Sequence, residues 1–320
     1  MESTAGHTGQ AGGAASMEKL NARFGAPGRI VFRTGFAGYP TAVLANQYGT
    51  AEVALLGGNV LSYRPTGHPP VLFRPAKGDA EYNRGDKFHG GIPVCWPQFG
   101  NRFSKELPQH GFASKLVFDV RATEYSEEKT ELTLGLKSTD ETRKLWPHDF
   151  DLELKVSVTM KLNLSLTTRN TGSKPFEFSC GFHPYFLLRD RDAVSVRGIA
   201  GLECILAQRD GDLGMRNGDI VLDHAPDDVF ALPDAPKHEF AVVDPGLRRA
   251  IAIVSTGNTR QVVWNCGDDA PCDMSSEDWR KFVCVEPVSD WPGGRTLAPG
   301  EEYALAAAIQ SSLEQAGSQK

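Results

Sequence analysis

Apolar and polar residues alternate with a period of two along many short runs of the chain, which is the pattern of β-strands with one buried face. Turn residues separate these runs at spacings of roughly 8 to 12 residues, as in sandwiches and barrels. A helical period is nearly absent. We therefore predict an all-β domain whose clearest strands lie in residues 51–58, 115–125, 130–138, 150–170, 248–256, 260–266, 281–288 and 301–310.

The run over residues 150–170 is the most regular, because every second residue from Phe150 to Leu166 is apolar. Side chains two residues apart in a strand lie on the same face of the sheet. The pattern therefore predicts one long ribbon with a single buried face.

The two ends of the chain differ from its centre. Residues 1–16 are small and polar, with no apolar period and none of the features of a secretory or transit signal. We expect a disordered leader over residues 1–26, one folded domain over residues 27–312 and a disordered tail over residues 313–320.

Composition narrows the class of function. The net charge of -6 and the isoelectric point near 5.8 disfavour a nucleic-acid partner, which would select a basic surface. No window approaches the roughly 18 consecutive apolar residues of a membrane span.

The six cysteines form no CxxC pair, so we expect reduced, buried thiols in a cytoplasmic protein. There is also no phosphate-cradling glycine motif and no zinc-type His/Cys spacing, so we expect neither a cofactor nor a metal.

Several titratable residues lie among turn residues and aromatics, where catalytic groups of all-β proteins usually occur. Glu286 ends a strand that is apolar on both faces, so it is either paired with a structural cation or held in a pocket with a shifted pKa. His183 interrupts an aromatic run and is either a structural histidine or an acid–base group. Trp96 and Phe99 are either core residues or the wall of a sugar site. Roles in turns or solvated loops stay open for His110, Asp227 and Asp228, and His89 is a further candidate in a glycine- and proline-rich run.

Seven motifs, taken in order, resemble those of one family. They are GGIPVCWPQFG, LPQHGFA, HPYF, DDVF, VVWN, VCVEP and LAPGEEY, and the similarity covers roughly residues 28–312. Together they resemble the hexose-6-phosphate mutarotases, or glucose-6-phosphate 1-epimerases, of the aldose 1-epimerase superfamily. The resemblance implies a single-domain, galactose-mutarotase-like antiparallel β-sandwich (supersandwich) with the sugar site on a concave face.

The resemblance also implies roles for individual residues. His183 corresponds to the general acid on the ring oxygen, and Glu286 to the general base on the anomeric hydroxyl. The ring then opens to the aldehyde and closes on the other face, with no metal or cofactor. Asp227 corresponds to a sugar-hydroxyl acceptor, while Gln109 and His110 correspond to substrate-binding positions. We expect a monomer whose partner is a small-molecule sugar or sugar phosphate.

Two substrate-binding positions depart from the family pattern. Similar enzymes read RGGIP where this chain has His89, and HGFAR where it has Ser114, and both arginines are expected to face the sugar's phosphate. Arginine offers a fixed charged fork, whereas histidine is partly charged near neutrality and serine is neutral. Lys115 would point to the opposite face from Ser114 if that segment is extended. Other basic residues nearby are Arg84, Lys87 and Arg102.

These departures leave three functions open. The first is anomer interconversion of a hexose 6-phosphate. The second is an aldose 1-epimerase that acts on unphosphorylated sugars. The third is a carbohydrate-binding module without catalysis, although such a module has no need of both His183 and Glu286.

Overall fold

Antiparallel strands make up most of the computed structural model, which describes residues 9–75, 88–101, 104–207, 213–222, 225–269, 271 and 273–314. Two α-helices occur in this part of the chain, α1 (Gly9–Phe24) and α2 (Asp140–Leu145). A four-stranded sheet contains, in order, β1 (Ile30–Thr34), β2 (Pro40–Asn46), β3 (Gly49–Ala54) and β4 (Val60–Pro65). A two-stranded sheet pairs β10 (Phe176–Phe178) with β22 (Arg295–Leu297).

Two large sheets form the body of the molecule. The nine-stranded sheet contains, in spatial order, β16 (Ile220–Val221), β13 (Ser195–Arg197), β18 (His238–Asp244), β19 (Arg249–Thr256), β23 (Glu302–Leu313), β9 (Leu162–Asn170), β8 (Phe150–Val158), β7 (Thr130–Lys137) and β6 (Asp119–Tyr125). The eight-stranded sheet contains β15 (Gly214–Met215), β14 (Glu203–Ala207), β17 (Asp227–Ala231), β20 (Arg260–Trp264), β21 (Phe282–Ser289), β11 (Cys180–Phe182) and β5 (Val94–Cys95), and β12 (Tyr185–Leu187) pairs with β21.

One hydrophobic core joins these sheets. Its buried side chains include Val53 of the four-stranded sheet, Leu154 of the nine-stranded sheet and Val285 of the eight-stranded sheet. A shared core of this kind is what makes packed layers a single domain. The predicted all-β, single-domain sandwich is therefore confirmed. No helix in the described residues is long and apolar enough to span a membrane.

The predicted ribbon over residues 150–170 is instead a hairpin. β8 and β9 pair from Phe150 opposite Asn170 to Val158 opposite Leu162, with residues 159–161 as the turn. Met160 lies in this turn and is 65% exposed, although its parity predicted burial. A three-residue turn sets even-numbered residues opposite even-numbered residues, so both strands bury the same parity and the pattern does not reveal the reversal.

The N-terminal prediction is wrong where the structure describes the leader. Residues 9–24 form α1, and Asn21 of this helix accepts a hydrogen bond from the Phe32 amide of β1 at 2.8 Å. Met17, Leu20 and Phe24 recur at helical spacing and pack against the core, which stabilises the helix. At the other end β23 continues through Leu313, one residue into the predicted tail. Residues 1–8 and 315–320 lie outside the described residues.

Candidate active site

Strand β21 carries Glu286 on the face of the sheet that points away from the main core. Val283 and Val285 point into that core, whereas Phe282 and Cys284 belong to a separate cluster on the opposite face. Glu286 shares the parity of Phe282 and Cys284, and its side chain is only 1% exposed. The strand is thus apolar on both faces as predicted, and it places the Glu286 carboxyl in an apolar environment.

Neighbouring strands bring Asp227 to the same face as Glu286. Val262 of β20 lies opposite Glu286, and Val229 of β17 lies opposite Val262. Asp227 lies two residues before Val229 on β17, and it lies opposite Trp264 of β20. Because residues two apart share a face, the side chains of Asp227, Trp264 and Glu286 project to one side of the sheet.

His183 lies between β11 and β12, where a glycine-containing segment anchors its backbone. The His183 amide donates to the Pro93 carbonyl at 3.0 Å, and the Tyr185 amide donates to the Gly91 carbonyl at 2.9 Å. Gly91 has φ +67°, and a Cβ there would lie 2.4 Å from the Val60 carbonyl oxygen. Only glycine fits this conformation without strain. One function of the GGIPV motif is therefore to let the chain pass close to β4 and hold His183.

His183 and Glu286 form the central pair of the site. The imidazole Nε2 lies 3.5 Å from Glu286 Oε2, and the ring stacks on Tyr185 with centroids 4.8 Å apart. Burial, with a smaller contribution from the Asp227 charge, raises the pKa of Glu286 well above its ordinary value. A carboxylate of raised pKa is a stronger base, so Glu286 is suited to accept a proton from a hydroxyl group beside the His183 imidazole.

The His110 ring is held in one tautomer, in which Nε2 is the hydrogen-bond donor. The Gly100 amide donates to His110 Nδ1 at 3.2 Å, so Nδ1 is the unprotonated ring nitrogen and Nε2 carries the hydrogen. The ring centroid of His110 lies 5.4 Å from that of His183. His110 also has φ +64°, and its amide donates to the Gly100 carbonyl at 2.7 Å. This backbone contact stabilises an otherwise unfavourable conformation.

All the predicted site residues line one cavity of about 480 Å³. A volume in this range suits a small organic ligand. Aromatic side chains of Phe99, Trp264 and Trp291 form part of its surface. The structure brings together here the seven residues that the sequence selected, namely His89, Gln109, His110, Ser114, His183, Asp227 and Glu286.

Other sequence candidates lie away from the cavity. Trp96 is fully buried in the main core, where its indole donates to Thr168 Oγ1 at 3.0 Å, so it is not part of the sugar-site wall. Asp228 points to the other face of β17 and pairs with Arg216 at 3.2 Å. Five of the six cysteines are described, and all five are free and buried as predicted. Cys272, Arg84, Lys87 and Arg102 lie outside the described residues.

Sequence reasoning gave no role to several residues of the site. Tyr185 and Trp264 line the cavity. They occur in the HPYF and VVWN motifs, so these motifs could have marked them as site residues. Asp273 receives two hydrogen bonds from His89, and no motif marked it. Lys115 also lines the cavity, because Ala113–Lys115 forms a 3₁₀ turn rather than an extended segment. Side chains of consecutive residues in such a turn do not alternate between opposite faces as they do in a strand.

The described residues include one group with the donor atoms of a metal site. Ligand atoms of His183, Cys284 and Glu286 lie within 4.8 Å of one another. However, burial, followed by the nearby Glu286 carboxylate, raises the pKa of the Cys284 thiol well above its ordinary value. A thiol of raised pKa is mostly neutral, and the neutral thiol binds metal ions less well than the thiolate.

Comparison with known proteins decides the family. The model of the family described as aldose 1-epimerase matches residues 40–310. The chain belongs to the aldose 1-epimerase family. This membership identifies the protein as an isomerase that interconverts the anomers of a sugar.

Relatives of this epimerase agree with the assignment. A Cenchrus ciliaris protein named "Putative glucose-6-phosphate 1-epimerase" is 30% identical over 267 residues, which cover 79% of this chain and 78% of the relative. A Salmonella typhimurium protein of the same name is 31% identical over 242 residues, 74% of this chain and 79% of the relative. The crystal structure of a "putative mutarotase" from Salmonella typhimurium is 27% identical, has a TM-score of 0.80, and is matched over 89% of this chain and 94% of that one.

Proposed function

We propose that this epimerase interconverts the α and β anomers of a hexose 6-phosphate, with His183 and Glu286 as the proton-transfer pair. The observation that carries the proposal is the buried Glu286 carboxyl, 3.5 Å from the His183 imidazole in a cavity of sugar size. Two acid–base groups held this close can act on neighbouring oxygens of one sugar, one accepting a proton while the other donates one.

The proposed reaction moves protons and breaks one ring bond. Glu286 takes the proton of the anomeric hydroxyl, the C1 carbonyl forms, and the bond from C1 to the ring oxygen breaks. The ring oxygen keeps the electron pair of that bond and receives a proton from His183. Rotation about the C1–C2 bond then presents the other face of the aldehyde, and the reverse transfers close the ring.

Remaining groups of the cavity support binding of a sugar ring. Asp227 offers carboxylate oxygens for ring hydroxyls, and His110 and Gln109 offer further polar atoms. Phe99 and Trp264 offer apolar surface for the C–H face of a pyranose. The phosphorylated substrate is supported by the names of the two relatives at 30% and 31% identity.

The proposal includes two broader properties. The enzyme would act as a monomer, since the proposed acid–base pair of His183 and Glu286 is formed within one chain, with Nε2 and Oε2 3.5 Å apart. The five described cysteines are free thiols, which agrees with a cytoplasmic location.

Exchange spectroscopy tests the choice of substrate. Saturation transfer between the α and β anomeric protons would be measured for glucose 6-phosphate and for glucose at the same enzyme concentration. We expect kcat/KM for glucose 6-phosphate to exceed that for glucose by about 10- to 100-fold, the size of one charge-assisted hydrogen bond. Equal or faster exchange of glucose would instead support an epimerase of unphosphorylated sugars. Binding of either sugar without any exchange would support a carbohydrate-binding module.

A further inference from the structure

The proposed reaction requires the plane of the His183 imidazole to be fixed. The reacting nitrogen, Nε2, lies 3.5 Å from Glu286 Oε2, and rotation of the ring would move it away from the reacting oxygens. The χ2 torsion of a histidine side chain has a broad preference, so the residue's own bonds do not fix this plane. Contacts from neighbouring side chains must therefore hold the ring.

Tyr185 provides a parallel ring against the imidazole of His183. The two ring planes are 8° apart and their centroids are 4.8 Å apart, which is the geometry of an offset stack. Pro184 separates the two residues, and a residue before proline is restricted to extended conformations, in which residues two apart share a face. Trp264 meets both rings nearly at right angles, at 81° for His183 and 82° for Tyr185. The imidazole is therefore held by a flat face and by an edge contact.

A second apolar cluster, separate from the main core, immobilises Tyr185. The Phe282 ring lies 5.1 Å from that of Tyr185, and Phe73 stacks on Phe282 with centroids 5.1 Å apart. The Phe73 amide also donates to the Tyr185 carbonyl at 2.8 Å. Tyr185 is only 2% exposed, so its ring has little room to move. The buried members of this cluster are Phe73, Tyr185, Cys266, Met274, Phe282 and Cys284.

The hydroxyl group of Tyr185 is not suited to proton transfer. Burial, followed by the nearby ionisable groups of Cys284 and Glu286, raises the pKa of Tyr185 well above its ordinary value. The hydroxyl group therefore stays protonated near neutral pH, and the part of Tyr185 that faces His183 is the flat ring. Phenylalanine offers the same flat face without the hydroxyl group.

We propose that Tyr185 is a positioning residue of the reaction, whose stacked ring holds the His183 imidazole in the plane that directs Nε2 to the ring oxygen of the sugar. This inference rests on the proposed function and extends it to a residue that acts through His183. Displacement of a reacting group by about 1 Å can lower a rate about 100-fold. The loss should affect kcat rather than KM, because the stack orients the acid while the groups that bind the sugar stay in place.

Exchange kinetics of substituted enzymes test this role, measured on whichever of glucose 6-phosphate and glucose wild type exchanges faster. Tyr185→Leu fills much of the same space but has no flat face. We expect it to lower kcat about 10- to 100-fold, with KM much less affected. Tyr185→Phe keeps the stack and should retain most of the wild-type kcat. If Tyr185→Leu does not fold, Tyr185→Met takes its place, since a flexible methionine fills irregular space.

Two controls separate positioning from general damage to the fold. Tyr63→Leu makes the same substitution at a buried position of β4 in the main core, and should lower the melting temperature without lowering kcat. The second control adds Tyr185→Leu to His183→Asn. Because Tyr185 acts through the His183 ring, the double variant should lose no more kcat than His183→Asn alone, whereas independent effects would add.

The outcomes distinguish this inference from the proposed function. If His183→Asn loses exchange but folded Tyr185→Leu keeps the wild-type kcat, the inference is wrong while the proposed function stands. Equal losses from Tyr185→Phe and Tyr185→Leu would also overturn it, as would a loss from Tyr185→Leu that is the same with and without His183. If His183→Asn and Glu286→Gln both exchange at the wild-type rate, the proposed acid–base pair fails, and the role of Tyr185 fails with it.

Discussion

Replacing Glu286 with glutamine should change how the stability of the protein depends on pH. Glutamine has nearly the shape of glutamate but cannot ionise, so the substitution removes one titrating group from an almost fully buried position. Burial, together with the charge of Asp227, raises the pKa of Glu286 in the folded protein. In the unfolded chain the same carboxyl should titrate near its ordinary value of about 4.3.

The size of the effect follows from this difference in pKa. Between the unfolded and the folded pKa, the native protein keeps a proton that the unfolded chain has lost. The contribution of Glu286 to stability is therefore complete below about pH 4.3 and is lost as pH rises through the folded pKa. One proton corresponds to about 1.4 kcal/mol of unfolding free energy for each pH unit in this window. Relative to wild type, Glu286→Gln should become more stable as pH rises above about 4.3, by up to about that amount per unit, and the difference should level off once pH passes the folded pKa of Glu286.

Urea denaturation at intervals between pH 5 and pH 8 measures this difference in unfolding free energy. Glu128→Gln is the matched control, because Glu128 is exposed in the turn before β7, and its stability difference from wild type should not vary with pH. A pH-independent difference between wild type and Glu286→Gln would refute the conclusion that Glu286 is buried with a raised pKa.

Two further substitutions test the site and its support. Asp227→Asn removes a charge that raises the pKa of Glu286, so the acid limb of kcat/KM for anomer exchange should move to lower pH; an unmoved limb would exclude this electrostatic coupling. Gly91→Ala would place a Cβ 2.4 Å from the Val60 carbonyl oxygen at φ +67°, and should lower the unfolding free energy by at least about 2 kcal/mol in urea. Gly28→Ala, at φ +71° with no atom within 4 Å of the added Cβ, should cost only about 1 kcal/mol, so equal losses would contradict the steric explanation.

Much of the fold could be predicted because strand burial has a simple period. The strand that carries Glu286 was predicted to be apolar on both faces, and the buried clusters on the two sides of β21 agree with that prediction. The hairpin of β8 and β9 was not apparent, since a three-residue turn preserves parity across the reversal. Helix α1 was missed because its apolar residues, Met17, Leu20 and Phe24, begin where the small polar segment ends.

The site was predicted less completely, and the reason is physical. His183, Glu286 and Asp227 lie in strands or at their ends, so local pattern already constrains where they point. The orientation of Lys115 depends on a 3₁₀ turn that the alternating pattern does not encode. Asp273 reaches His89 across a separation of 184 residues, and only the folded loops bring the two together.

The central claim is that the buried pair of His183 and Glu286 carries out anomer exchange. The most direct test is the rate of α–β exchange of glucose 6-phosphate, measured by saturation transfer for wild type, Glu286→Gln and His183→Asn. We expect wild type to exceed the uncatalysed rate and each variant to lose about 10²- to 10⁴-fold, the usual contribution of a general acid or base. Exchange by a folded Glu286→Gln variant at the wild-type rate would contradict the account.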